Sequence, residues 1–162
     1  MGRVVERAEG CRVCEVARQS GKRIVFTNGC FDLLHHGHVA VLETAASFGD
    51  LLVVAVNDDE SVRRIKGATR PLLPLEGRTR ILAAFESVDL VVPFSEDTPL
   101  DTVLALRPDV LVKGHDYLNR EVVGADEVRS WGGVVKLVPM IEGVSTSELV
   151  RRIRLSAEKG EA

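Results

Sequence analysis

The sequence predicts an α/β fold, a Rossmann-like open parallel sheet of about five strands with helices on both faces. Three observations lead there. Short runs of Val, Leu and Ile recur along the 162 residues. The runs are near-continuous rather than alternating, as in strands buried on both faces of a parallel sheet. The segments between them carry apolar residues at helical spacing.

In chain order, residues 1–20 read as a helix preceding the sheet. The first strand is 24–27, Ile-Val-Phe-Thr, and a helix is expected over 38–48. Residues 51–56, Leu-Leu-Val-Val-Ala-Val, form the second strand, with a helix over 58–65 behind it. A helix over 76–87 leads into the strand at 90–92, and a helix over 100–106 into the strand at 110–112. A helix over 125–131 precedes the last strand at 134–138, and 144–157 closes the chain. Neither an internal repeat nor a linker divides this pattern, so one domain is expected over residues 1–162, with its core at 22–155. Right-handed crossovers place helices on both faces and put ligands outside the carboxyl ends of the strands, at the switch in strand order.

Composition excludes several function classes. With 24 acidic and 21 basic side chains, net charge −3, the chain lacks the basic excess that nucleic-acid binding uses. Apolar runs such as 51–56 stop near six residues, against the ~20 of a membrane-spanning helix, so no membrane partner is expected. The first ten residues mix charges and lack the apolar segment of a signal peptide, which suits a cytoplasmic protein. Cys11 and Cys14 form one C-x-x-C and Cys30 stands alone. With no second pair, free thiols are expected rather than a metal or disulfide framework.

The densest polar segment, T-N-G-C-F-D-L-L-H-H-G-H at 27–38, follows the first strand. Gly29 and Gly37 permit close backbone approach, and the helix that follows offers free N–H groups to a phosphate. His35 and His38, three residues apart, can aim both imidazoles at phosphoryl oxygens, with His36 facing elsewhere. No third ligand stands at metal spacing, so no protein-held metal is expected. Lys66 and Arg70 bracket Gly67 in a segment ending at Pro71 and Pro74; the residues alone allow either a loop closing over a triphosphate or a solvated basic loop. Arg78 and Arg80 oppose the dipole at a helix start and call for an anionic partner. Ser145 has the spacing to cap the N–H of Glu148, and residues 113–117 follow a strand at its carboxyl end.

The segment at 27–38 resembles the signature of the cytidylyltransferase-like nucleotidyltransferases, whose H-x-G-H binds the nucleotide phosphates. A-V-N-D-D at 55–59, I-K-G-A-T-R-P at 65–71, L-V-K-G-H-D-Y at 111–117 and G-V-S-T-S at 143–147 resemble, in order and spacing, the adenylyltransferase domain of ADP-heptose synthases. The resemblance spans about residues 22–155. It implies the HxGH nucleotidyltransferase fold and transfer of AMP from ATP to D-glycero-D-manno-heptose 1-phosphate, giving ADP-heptose and pyrophosphate for lipopolysaccharide assembly. Mg²⁺ held largely by the phosphates, small-molecule substrates and a homodimer are implied with it. So are catalytic roles for His35, His38 and Lys66, and a substrate-phosphate contact from Arg78. The nucleotide contacts implied are Thr27, Asn28, Gly29, Phe31, Asp32, Gly37, Asn57, Arg70, Lys113, Gly114, Asp116, Ser145, Thr146 and Ser147.

Two departures bear on the substrate. Met140-Ile141-Glu142-Gly143 stands where the glycerol-3-phosphate cytidylyltransferase branch carries R-T-E-G, which favours the heptose branch, and His115 replaces a frequent Gly near the nucleotide. The alternatives are a nucleotidyltransferase for another acceptor, of glycerol-3-phosphate cytidylyltransferase or FMN adenylyltransferase type, and a non-catalytic nucleotide-binding module.

Overall fold

The computed structural model describes residues 1–114, 122–139, 143, 145–158 and 160. The apolar runs become strands β2 (Ile24–Gly29), β3 (Leu51–Asn57), β4 (Leu90–Phe94), β5 (Val110–Gly114) and β6 (Val134–Val138), preceded by a two-residue strand β1 (Arg3–Val4). The helices are α1 (Arg7–Gln19), α2 (His36–Ala46), α3 (Asp59–Lys66), α4 (Leu75–Ala84), α5 (Leu100–Leu106), α6 (Ala125–Ser130) and α7 (Thr146–Glu158). All strand pairs are parallel, in the order β1-β4-β3-β2-β5-β6.

The near-continuous apolar runs exist because each strand feeds two cores. Ile24 and Phe26 pack on one face with Cys14, Val53, Ala55, Leu106 and Leu111, while Val25 packs on the other with Leu42, Val54, Leu82 and Val110. All of these are buried. At the amino ends of the strands, carboxylates stitch the sheet: Asp109 accepts from the Ile24 N–H at 2.8 Å, and Asp89 from the Leu52 N–H at 2.7 Å. Polar groups of the opposite, carboxyl ends are thereby left for a ligand.

The order also fixes where the sheet splits. From β2 the chain adds β3 and β4 on one side, then returns to place β5 on the other side of β2. The crossovers diverge between β2 and β5, so a crevice opens outside Gly29 and Gly114.

Four expectations are corrected. Among the described residues the sheet has six strands rather than about five, because residues 1–20 are not wholly helical: Arg3 and Val4 pair with Leu90 and Val91 before α1 begins. The approach is so close that a Cβ on Gly2 would lie 2.4 Å from the Val88 carbonyl oxygen. β6 packs on both cores, with Val135 and Leu137 on one and Val134 and Val138 on the other, but less deeply than the inner strands; it is an edge strand whose Lys136 is exposed and only Val138 fully buried. α2 starts at His36 rather than His38, which makes His35 its N-cap. β2, β3 and β5 each run past their apolar residues into polar or small ones that line the crevice, and β4 runs on through Pro93 and Phe94.

Cys11, Cys14 and Cys30 are free thiols. Cys14 is 1% exposed, and burial pushes its thiol up to about 11, so it behaves as a small apolar core residue. Cys14→Ser is expected to lower unfolding free energy by about 1–3 kcal/mol by burying a hydroxyl without a partner, and Cys11→Ser by well under 1 kcal/mol. Urea unfolding measures both, and turnover of the folded variants should stay within about twofold of the parent.

Candidate active site

The crevice is a pocket of about 550 Å³. Its lining brings together residues far apart in sequence: Thr27, Asn28 and Gly29 at the end of β2, with Phe31 and Asp32 just after it; His35, Gly37 and His38 at the start of α2; Asn57 at the end of β3; Lys66 and Arg70; Lys113 and Gly114 at the end of β5; and Thr146 and Ser147 of α7. Ser145 is outside the lining and caps α7 through the Glu148 N–H at 3.1 Å, the bond its spacing predicts. Asp116 and His115 lie outside the described residues.

His35 and His38 differ in what they can do. The His35 backbone N–H donates to His38 Nδ1 at 3.3 Å, closing the first turn of α2. An accepting Nδ1 puts the proton of the neutral ring on Nε2, leaving Nε2–H as a donor. The His38 ring packs 3.9 Å from the His35 ring and 5.5 Å from Phe31. Burial first, and the neighbouring His35 second, pull its pKa down to about 4, so it is neutral at physiological pH. His35 is also shifted down, by burial and by His36, and its Nδ1 is buried without a partner. His36 is exposed, as its place in the motif suggests. Phe31 holds a left-handed φ of 49°, a costly conformation for an aromatic residue, with its ring edge over Gly29. A Cβ at Gly29 would sit 3.2 Å from that ring, which explains why glycine ends the strand.

The cations divide into free and engaged ones. Lys66 is the last residue of α3, exposed at the pocket, with Gly67 turning the chain away at φ 99°. Arg70 also lines the pocket but is paired with Asp32. The same carboxylate accepts from the Leu72 N–H at 2.6 Å and the Leu73 N–H at 3.0 Å. Burial raises the Asp32 pKa, yet Arg70 and these two N–H groups outweigh it and hold the carboxyl below its ordinary value. Asp32 therefore anchors residues 70–73, and the turn at 67–69 is closed by the Arg70 N–H donating to the Gly67 carbonyl at 3.0 Å. Lys113 Nζ donates to the Asn28 carbonyl at 3.2 Å, tying β5 to β2 across the split. Asn28 Oδ1 is buried with no partner.

Arg78 is corrected most sharply. It is 0% exposed and does not reach a ligand. Its Nε donates to the Leu73 carbonyl at 3.0 Å, Nη1 to the Cys30 and Asn57 carbonyls at 2.6 and 2.8 Å, and Nη2 to Asp59 at 2.7 Å. It lies beneath the pocket as a strut rather than in it. Arg80 is exposed. Sequence reasoning missed Cys30 and the Asp97, Thr98 and Pro99 turn, all of which line the pocket. The switch-point logic applied to the end of β4 would have found the turn. Among the described residues no cluster of three or more His, Cys, Asp or Glu is placed to hold a metal ion, and no helix is long and apolar enough to cross a membrane.

Residues 26–159 match the cytidylyltransferase-like family, and the chain belongs to it. It is 57% identical over 152 residues to the bifunctional protein HldE of Acidiphilium cryptum, covering 94% of this chain and 31% of that protein. The chain thus spans about a third of the length of the curated relatives it matches. A lipopolysaccharide core biosynthesis protein from Thermoplasma volcanium superposes with a TM-score of 0.61 at 29% identity, over 75% of this chain and 98% of the other. The pantoate-beta-alanine ligase of Francisella tularensis, solved with beta-gamma ATP and beta-alanine, gives a TM-score of 0.65 at 15% identity over 97% and 78%. That last likeness shows the fold alone, a Rossmann-like parallel sheet with helices.

Two outcomes follow from the geometry. Arg78→Met, which strands three carbonyls and a carboxylate, is expected to cost roughly 3 kcal/mol or more in urea unfolding. His38 binds its proton more weakly folded (about 4) than its ordinary value of 6.5, so its contribution to stability is complete above pH 6.5 and is lost as pH falls toward 4. A His38→Asn variant, compared with the parent by unfolding at pH 7.5 and 4.5, should show the smaller pH dependence.

Proposed function

We propose that this cytidylyltransferase-like chain transfers the adenylyl group of ATP to D-glycero-D-manno-heptose 1-phosphate, yielding ADP-heptose and pyrophosphate. An oxygen of the sugar phosphate bonds to the α-phosphorus as the bond to the bridging oxygen breaks, and pyrophosphate departs with the electron pair. The attacking phosphate, with a second pKa near 6, is already ionised at neutral pH, so no protein nucleophile or general base is required. The chain's task is to hold two anions together and to stabilise charge growing on the α-phosphoryl and leaving oxygens.

The observation that carries this reading is the His35–His38 arrangement at the start of α2, with His38 neutral and its Nε2–H left as a donor. A neutral donor aimed at developing charge strengthens most in the transition state, where one such group contributes about 3–4 kcal/mol. Lys66, free at the same pocket, suits the departing pyrophosphate, and the first turn of α2 adds backbone N–H groups. The heptose acceptor is supported by the motif resemblance and by the HldE relatives, and a lipopolysaccharide core biosynthesis protein among the structural neighbours agrees with it.

Asp32 has its oxygens engaged and Asp97 is paired with Arg64, so the described carboxylates of the pocket do not form a cage for a hard cation. Mg²⁺ is accordingly proposed to enter as the counter-ion of ATP, bound by its phosphates. A homodimer in the cytoplasm is proposed on the resemblance alone.

Pyrophosphate release, measured with four nucleoside triphosphates and a panel of phosphorylated acceptors, tests the reading. ATP with heptose 1-phosphate should exceed every other pair at least tenfold, and faster release from CTP with glycerol 3-phosphate would refute it. His38→Ala should lower kcat by about two to three orders of magnitude while moving the ATP KM little. Lys66→Ala should cost on the order of 2 kcal/mol in kcat/KM, and a loss confined to KM in both would reduce them to simple binding groups.

A further inference from the structure

A second groove, of about 450 Å³, opens beside the first between Thr69 and Arg70 on one side and α7 on the other. It shares Arg70 and Ser147 with the pocket described above, so the two spaces adjoin at those residues. The α7 wall is one stripe of the helix, Ser147, Arg151, Arg154, Leu155 and Glu158, spaced i, i+4, i+7, i+8 and i+11. None of the described α7 residues is buried, so the stripe is not explained by packing into the core.

We infer that this groove binds the acceptor, a phosphorylated sugar, with its phosphate toward the shared edge at Arg70 and Ser147 and its hydroxyls along Arg151, Arg154 and Glu158; the inference rests on the reaction proposed above. In-line displacement brings the acceptor to the α-phosphorus on the side opposite the departing pyrophosphate. The acceptor therefore needs a space that touches the triphosphate pocket without overlapping it. The chemistry of the walls selects the ligand class. Arg154 favours an anion, beside Arg70 and Arg151 whose guanidiniums already pair with Asp32 and Glu148, while the Glu158 carboxylate is wrong for a purely phosphate site and right for accepting from sugar hydroxyls. Val150 and Leu155 offer apolar surface to the C–H groups of a sugar. Arg151 is held in place by a two-point bond to Glu148 at 2.8 and 2.7 Å. Arg154 makes no ion pair among the described residues, which leaves its fork for a ligand.

The test reads binding and turnover separately. Calorimetry measures the Kd of heptose 1-phosphate in the presence of α,β-methylene ATP, and of that analogue alone, for the parent, Arg154→Ala and Glu158→Gln. Pyrophosphate release is followed on the same proteins. Both positions are exposed, and unchanged melting midpoints confirm that the variants fold. The expected result is at least a tenfold weaker acceptor Kd for Arg154→Ala and at least threefold for Glu158→Gln, with the analogue Kd within twofold of the parent. Acceptor affinity unchanged in both variants, or acceptor and nucleotide affinity weakened alike, overturns the groove assignment while parental turnover leaves the proposed reaction standing. Parental binding that depends on Arg154 but yields no pyrophosphate overturns the reaction and retains the groove. No parental binding of the sugar phosphate overturns the groove.

Discussion

The carboxyl ends of β2 and β3, the 70–73 segment and the start of α3 meet at one buried guanidinium. Arg78 bonds to a carbonyl of each strand-end segment, to Leu73 and to Asp59, and no solvent reaches it. Strand ends past the last ladder bond have carbonyls with no sheet partner, and a charged planar fork satisfies several at once. The strands thus reach beyond their apolar cores as ordered backbone, and the pocket floor is fixed before any ligand arrives. Asp32 does the complementary work from above, gathering Arg70 and two backbone N–H groups.

This arrangement separates charge by function. The buried cation and anion nearest the pocket are consumed in holding its shape, whereas Lys66 stands free at its mouth. Between them sits a histidine pair whose pKa values burial lowers, with His36 adding to the shift of His35 and His35 to that of His38, which is neutral at physiological pH. A pocket for two polyanions would be filled by counter-ions or closed by its own salt bridges if every cation were exposed and unpaired. Engaging Arg70 and Arg78 internally leaves, among the described residues of this pocket, a neutral donor and the exposed Lys66, which respond to charge without rearranging the walls.

Much of this was legible in sequence, for physical reasons. Val and Leu runs at 51–56 and 110–112 announce doubly buried strands because both faces are covered. The glycine and histidine spacing at 29–38 announces a phosphate-facing turn because few other structures use that pattern. What was not legible involves partners rather than patterns. Two residues, Arg3 and Val4, have no periodicity, and their strand exists only because β4 offers an edge. Lys136 betrays the exposed edge of β6 only in hindsight, since one charge does not distinguish an edge from a bulge. Arg78 reads as a ligand-facing cation because sequence shows its charge and helix position but not the three carbonyls waiting beneath it. Asp32 and Arg70 lie 38 residues apart, and their pairing shows only in the folded chain.

The two margins of the sheet are unlike its middle. A parallel sheet with uncovered borders is a template on which further strands can add without limit. Here one border is β1, only two residues long, too short to offer a stranger more than a fragment of a ladder. The other, β6, carries an exposed lysine at its centre, whose ammonium lies 5.8 Å from the Phe48 ring. An incoming strand would have to desolvate that charge. Brevity on one side and a cation on the other guard against runaway polymerisation of a chain whose interior is built from some of its most aggregation-prone segments.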